Sequence, residues 1–292
     1  MKSGYIALIG RPNVGKSTLL NHLIGQKISI TSRKPQTTRH RILGIKTFPE
    51  GQSIYIDTPG LHGDEKKALN RYLNRTAKNS LSGVDLILWI TDNPKWHSFD
   101  PVILSMLKKV EVPVLFVINK IDRIESREDC LPFLKEASER FRFSSIVPVS
   151  ALRGANLDVL ERNILEALPE GEPVFSEDRI SDRSERFFAA EIIREKLIRR
   201  LAQELPYEIT VEIERFIDKE KLLSLHAIIW VERETQKSIV IGKGGGVLKT
   251  VGQQARFDLE KMMGKKVYLE LWVKVKRGWS DNERALQSLG YD

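Results

Sequence analysis

The sequence predicts an α/β domain with a doubly wound, mainly parallel sheet, followed by a smaller α+β domain. Three observations carry this. Short apolar runs alternate with helix-patterned stretches between residues 5 and 168, as βα units on a parallel sheet require. The stretch Pro169-Glu170-Gly171-Glu172-Pro173 then breaks the pattern and opens a charged segment that reads as a linker. Beyond it the order changes to one long helix, two alternating strands, a glycine loop between two helices, and a last strand. The expected boundaries are 1–169 for the first domain, 170–183 for the linker and 184–292 for the second domain.

Residues 5–9 are a short apolar run suited to a buried strand, and helical spacing begins at Ser17. Between them lies Gly10-Arg11-Pro12-Asn13-Val14-Gly15-Lys16-Ser17, followed by Thr18. Glycine loop between strand and helix is the context that makes this pattern a phosphate site. The glycines let successive backbone N–H groups turn inward as an anion nest, and the helix start adds its positive dipole end. Lys16 supplies a full charge to the β- and γ-phosphates, and the Ser17 hydroxyl suits Mg²⁺.

Residues 27–41 have no clean period and read as a polar mobile loop holding Gln36, Thr37, Thr38, Arg39 and His40. Strands follow at 41–48 and 52–57, joined by Pro49-Glu50-Gly51. The second strand ends in Asp57-Thr58-Pro59-Gly60, where an Asp can hold Mg²⁺ and the glycine N–H can meet a γ-phosphate. A helix is expected at 66–81, a doubly buried strand at 84–90, a helix at 101–109 and a second buried strand at 112–118. A helix at 129–141, a strand at 145–149 and a helix at 157–168 complete the domain. The motifs fall at the carboxyl ends of strands, where such sheets bind ligands.

Asn119-Lys120-Ile121-Asp122 identifies the base. A carboxylate accepts two hydrogen bonds from guanine N1–H and N2–H₂, whereas adenine leaves it desolvated and unpaired. Asn119 can donate to the base or brace the loops, the Lys120 stem can lie over the ring, and the Ala151 N–H after Ser150 can reach O6. With four motifs in order, the domain resembles the GTPases of the translation-factor-related superfamily, which implies bound GTP or GDP with Mg²⁺ on Ser17, Thr38 and Asp57. Of the two threonines, Thr38 is preferred by resemblance to related T-T-R motifs. The residue after D-x-x-G is Leu61, then His62, so the usual water-positioning Gln is missing. Members of the superfamily with an apolar residue there have other solutions, one of which uses an Asn in the phosphate loop to hold K⁺, and Asn13 occupies that place; His62 as a base is the weaker alternative.

In the second domain a helix is expected from about 184 to 205, strands at 207–217 and 223–232, a helix at 249–263 and a strand at 267–276. Before that last helix stands Ile241-Gly242-Lys243-Gly244-Gly245-Gly246. This order resembles a KH domain of the bacterial type (type II), whose G-x-x-G loop clamps about four nucleotides of backbone. Lys243, Lys249 and Arg256 supply charge around it. Trp272 and Trp279 could stack bases, but a Trp in an alternating strand is more often core, and the same holds for Trp230; the three are left unassigned. The third glycine adds a flexible residue to the clamp.

The net charge is +8, and residues 236–277 carry ten basic against three acidic residues, a segregated patch suited to nucleic acid. No run of about 18 apolar residues exists, which argues against a membrane span. The apolar run near Met1 is too short for a signal peptide. Cys130 is the only cysteine, so there is no disulfide or cysteine zinc site, consistent with a reducing cytosol.

A guanine-nucleotide domain with a C-terminal KH domain resembles the Era GTPases over nearly the whole chain, including Pro206-Tyr207, Glu232-Arg233-Glu234 and Ser288-Leu289-Gly290-Tyr291. That resemblance implies GTP hydrolysis, binding to the 3′ end of 16S ribosomal RNA, and a role in assembly and maturation of the small (30S) ribosomal subunit. It also implies a cytoplasmic protein; some members of the family associate with the inner membrane surface, although nothing in this sequence shows an anchor, and no stable oligomer is expected. A metabolic kinase would not need the guanine reader, a passive RNA chaperone would not keep every phosphate motif, and a tRNA-modification GTPase would lack the KH domain.

Overall fold

The computed structural model describes residues 1–60, 67–124, 130–201 and 205–291. The chain forms two compact units, one of Met1–Ser29, Thr38–Glu65 and Leu73–Asp182, the other of Ile30–Thr37, Lys66–Tyr72 and Arg183–Asp292.

In the first unit the elements run β1 (Lys2–Ile9), α1 (Lys16–Ile24), β2 (Ile42–Phe48), β3 (Gly51–Asp57), α2 (Ala68–Asn79, of which the part from Leu73 belongs to this unit), β4 (Leu86–Thr91), α3 (Asp100–Leu107), β5 (Val114–Ile118), α4 (Leu131–Arg140), β6 (Ser145–Pro148) and α5 (Leu157–Ala167). The sheet order is β2-β3-β1-β4-β5-β6. Only β2 runs against its neighbour, closing a hairpin at Phe48 opposite Gly51; β3, β1, β4, β5 and β6 pair in parallel. Strands β4 and β5 are buried at every residue, as their continuous apolar runs demand; β3 is buried throughout too, although it carries Gln52, Ser53 and Asp57. Trp89, Phe116 and Phe143 pack as an aromatic wedge, with ring centroids 4.7 and 4.8 Å apart.

The stretch expected as a linker is not a free tether. Gly171 N donates to Met1 O (2.9 Å), Val174 N to Gln52 Oε1 (2.9 Å) and Ile45 N to Ile180 O (2.9 Å). Ser181 Oγ donates to Leu43 O (2.7 Å), and Leu43 N to Asp182 Oδ1 (3.0 Å). β2 is the sheet's edge, and this segment covers backbone groups that an edge strand leaves open.

The second unit contains α6 (Glu185–Arg200), β7 (Thr210–Lys219), β8 (Leu222–Val231), α7 (Glu234–Ile241), α8 (Gly246–Met263), β9 (Lys266–Val275) and α9 (Glu283–Ser288). Ser184 caps α6 by accepting from Phe187 N (3.3 Å). The sheet order is β7-β8-β9, antiparallel then parallel. Its core joins Ile192, Ile193 and Leu197 of α6 and Val251, Ala255 and Leu259 of α8 to Leu225, Ile229 and Val273 of the sheet.

Three expectations shift here. α6 ends at Arg200, because Leu201 is extended, while residues 202–204 lie outside the described ones. Leu205–Glu208 form a 3-10 turn, so β7 starts three residues later than expected. A C-terminal turn and α9, not foreseen, bury Trp279 against Tyr291 (ring centroids 6.0 Å apart). Of the other two tryptophans left unassigned, Trp230 is half-buried and Trp272 is exposed.

Candidate nucleotide-binding site and glycine clamp

The phosphate loop leaves β1 at Gly10 and enters α1 at Lys16. A Cβ at Gly10 would lie 2.3 Å from Ile90 O and one at Gly15 2.2 Å from Asn119 Nδ2, both at positive φ (151° and 103°). Only glycine fits either place. Lys16 is buried, and its Nζ donates to the loop's own carbonyls, Gly10 O and Arg11 O, at 3.0 Å each. Burial pulls its pKa down to about 8, against the pull of the Asp57 carboxylate and with a further push from Arg11. The loop's other residues surround it: Val14 is buried, Pro12, Ser17 and Thr18 are half-buried, and Asn13 is exposed with φ 64°.

Asp57, at the end of β3, gathers hydroxyls. Ser17 Oγ donates to its Oδ2 at 2.8 Å and Ser29 Oγ at 2.7 Å, while Ser17 Oγ lies 2.8 Å from Thr38 Oγ1. Asp57 Oδ1 is buried with no hydrogen-bond partner among the described residues. Burial pushes the Asp57 pKa up, resisted by Ser29, Lys16, Ser17 and the Thr58 N–H. Thr58 Oγ1 anchors the following turn on Leu8 O (3.0 Å). Pro59 is buried, and Gly60 presses on the loop, where a Cβ would come within 2.8 Å of Pro12 N. Hard oxygens from Ser17, Thr38 and Asp57, one of them an unpartnered buried carboxylate oxygen, fit Mg²⁺.

The two adjacent threonines part company. Thr38 turns to Ser17, whereas Thr37 Oγ1 donates to Lys34 O (2.7 Å) and lies 2.6 Å from Ser32 Oγ. Thr38→Ala is therefore expected to weaken Mg²⁺-dependent GTP binding about tenfold, the order of one charge-assisted contact, and Thr37→Ala to leave it unchanged. Titration with and without Mg²⁺ reads the difference; equal losses in both variants would remove the distinction. Gln36 has φ 57° and bonds Asn70 Oδ1 (3.1 Å), and Arg39 and His40 are buried. Leu61 and His62 lie outside the described residues.

At the base end, Asn119 braces the loops: Nδ2 donates to Val14 O (2.8 Å), and Oδ1 accepts from Ala151 N (2.9 Å). The Ala151 N–H expected at guanine O6 is thus already engaged. Lys120 has φ 62°, and its Nζ donates to Asn13 O (2.6 Å) and Asp92 Oδ2 (3.0 Å). Asp122 is half-buried and accepts from Ser150 Oγ at 2.5 Å, which is the main reason its pKa is lowered. Sequence reasoning missed Ser29 and Asp92. Ser29 had no local signal, but Asp92 stands at the carboxyl end of a buried parallel strand, a place that favours ligand-facing residues.

In the second unit, Gln236 caps α7 by accepting from Glu232 N (2.8 Å) and Arg233 N (3.1 Å). The helix ends after Ile241, at Gly242 with φ 76° and ψ 169°. Gly244 and Gly245 also have positive φ, and among the described residues nothing lies within 4 Å of a Cβ at either. They are open to a close-approaching backbone. Gly246 is the first residue of α8, so the third glycine starts the helix rather than loosening the clamp. Lys243 in this turn, Lys249 in the first turn of α8 and Arg256 ten residues into that helix are all exposed.

Fold and site define a GTPase-class P-loop domain carried with a KH-type module. Residues 5–120 match the family described as 50S ribosome-binding GTPase, and residues 204–280 match the KH domain. The chain is 56% identical to GTPase Era of Pseudomonas aeruginosa over 290 residues, covering 99% of this chain and 95% of that one. It is 54% identical to GTPase Era of Haemophilus influenzae over 289 residues, covering 99% and 96%. A crystal structure of an Aquifex aeolicus Era variant bound to GDP and AlF4⁻ is similar over 100% of this chain and 99% of that one, at 44% identity and a TM-score of 0.96. An Era complex with MgGDPNP and nucleotides 1506–1542 of 16S ribosomal RNA has the same identity, TM-score and coverage. The chain belongs to the Era GTPase family.

Proposed function

We propose that this protein is a GTP-hydrolysing switch that binds 16S ribosomal RNA near its 3′ end and acts in assembly and maturation of the 30S subunit. The observation that carries the nucleotide half is the oxygen cluster of Ser17, Thr38 and Asp57 beside the buried Lys16. The RNA half rests on the similar Era complex with nucleotides 1506–1542 and on the open Gly244-Gly245 turn. In this reading Ser17, Thr38 and Asp57 hold Mg²⁺, which bridges phosphate oxygens and draws off charge when bound. Lys16 leaves the loop carbonyls for the phosphates, and Asp122 reads the guanine edge. Asn13 is the candidate K⁺ ligand, an arrangement that offsets the missing Gln after D-x-x-G. Lys243, Lys249 and Arg256 meet RNA phosphates around the glycine turn. The same reading makes the protein cytoplasmic, with peripheral contact at the inner membrane face; no helix among the described residues is long and apolar enough to cross a membrane.

The test is GTP turnover in K⁺ buffer with and without short RNA from the 3′ end of 16S ribosomal RNA. RNA is expected to accelerate turnover in the parent and not in Gly244→Asp, whose carboxylate repels the approaching phosphates. Binding without acceleration would leave the KH domain as a delivery module, and absence of binding would remove the RNA half. Exchange of K⁺ for Na⁺ is expected to slow turnover; an unchanged rate removes the Asn13 role.

A further inference from the structure

The outer face of the β7-β8-β9 sheet carries aromatic and cationic side chains that the glycine clamp does not use. Alternation along β9 sends Val267 and Val273 into the core and leaves Tyr268 and Trp272 on the other side, 54% and 53% exposed. Such exposure is uncommon for rings of this size. Parallel register sets Tyr268 beside Ser224, Trp272 beside Ile228 and Lys274 beside Trp230. Tyr268 and Trp272, four residues apart on one strand, stand about 13 Å from each other, so each ring has room for its own base. Trp230 Nε1 donates to Glu212 Oε2 (2.8 Å), which fixes that indole, and Lys276 Nζ lies 5.7 Å from its ring centroid.

Charge marks the occupant. Of the ten basic residues between 236 and 277, five lie on β9 or beside its ends: Lys265, Lys266, Lys274, Lys276 and Arg277. The one acid on that strand, Glu270, is 3.2 Å from His226 Nδ1. Glu212 is taken up by Trp230, Glu214 stands 4.0 Å from Lys274, and Lys265 is itself paired with Asp218 (2.7 Å), so the charge offered to phosphate comes from the other cations. Protein-binding patches are depleted in lysine, whereas exposed rings set among cations suit a single strand whose bases stack while its phosphates meet positive charge. β9 is an edge strand, and α8 packs on its inner side, where a Cβ at Gly252 would lie 3.4 Å from Leu271. α7, which leads into the glycine turn, packs against β9 as well as β8, so the β9 edge is the one a strand leaving that turn would round.

The geometry points to a second RNA-contact surface: Tyr268 and Trp272, with the lysines of β9, form a stacking platform for single-stranded RNA continuing from the clamp. This rests on the KH reading above. The platform engages RNA longer than the clamp's own footprint and reads no particular base, because every base has a stacking face.

The experiment measures binding of the full chain to end-labelled single-stranded RNAs of about five and about 14 nucleotides, the shorter just filling a clamp footprint. Tyr268→Ala/Trp272→Ala is expected to weaken the longer RNA at least fivefold and leave the shorter unchanged, as loss of base stacking implies. Tyr268→Phe/Trp272→Phe keeps both rings and is expected to restore most of the affinity. Gly244→Asp is expected to weaken both RNAs. Unchanged affinity for the longer RNA in the alanine pair overturns the platform, as does failure of the phenylalanine pair to rescue. If Gly244→Asp has no effect while the alanine pair loses the longer RNA, the platform stands and the clamp reading falls; if neither variant matters, both fall.

Discussion

Asp122→Asn is expected to lower GTP affinity by roughly two to three orders of magnitude and to turn the site toward xanthosine triphosphate. The carboxylate can accept from both N1–H and N2–H₂ of guanine, and hydrogen bonds to a charged group contribute about 1.5–3 kcal/mol each. An amide keeps one acceptor and turns its NH₂ toward the guanine amine, donor against donor. Xanthine carries a carbonyl where guanine carries that amine, so the same amide pairs with it. Ser150 Oγ, 2.5 Å from Asp122 Oδ1, fixes the carboxylate and lowers its pKa, so the group stays ionised at neutral pH. Ser150→Ala removes only this brace and is expected to have the smaller effect. Calorimetric titration with both nucleotides decides the matter, and unchanged GTP affinity in Asp122→Asn would take the guanine-reading role away from this residue.

What the sequence made legible was local chemistry. Gly10 and Gly15 are needed because a Cβ at either would strike Ile90 O or the Asn119 amide, and that need leaves a motif behind. The buried strands announced themselves as apolar runs. Contacts across long sequence separations did not. Nothing local tells Thr37 from Thr38; they separate only when Thr38 meets Ser17, 21 positions away. Asn119 had two roles open, and the Val14 carbonyl and Ala151 N–H that engage it lie 105 and 32 residues off. The charged stretch after Pro169 read as a tether because its partners, Gln52 and the edge of β2, are more than a hundred residues upstream. Trp272 is different, since the signal was present. It shares parity with Lys266, Tyr268, Glu270 and Lys274, the polar side of β9, so alternation alone placed it outside the core. Trp279 lies beyond the strand, where no period assigns a face, and tertiary contacts bury it, its ring against Tyr291 and its Nε1 donating to Glu208 O (3.3 Å).

Lys16→Met is expected to lower GTP affinity on the order of a thousandfold, the sum of charge-assisted contacts to two phosphates, and to abolish a proton uptake that the parent shows on binding. In the ligand-free protein burial holds the Lys16 pKa near 8, against an ordinary value of 10.5. A buried ammonium is disfavoured, so the ligand-free fold carries this penalty below pH 8 and is relieved of it as pH rises from there toward 10.5. Its stability therefore gains over that window. Nucleotide binding runs the other way. Phosphate charge favours the ammonium and raises its pKa, so above pH 8 the ligand-free lysine must take up a proton to bind. Affinity is expected to fall about tenfold per pH unit above that point. Calorimetry in two buffers of different ionisation heat should find close to one proton taken up at about pH 9 by the parent, and none through this group in Lys16→Met. Equal proton uptake in both proteins would place the titration on another residue. A flat affinity profile in the parent would mean that Gly10 O and Arg11 O hold Lys16 charged throughout, and that the loop carbonyls, rather than the incoming phosphates, already compensate its burial.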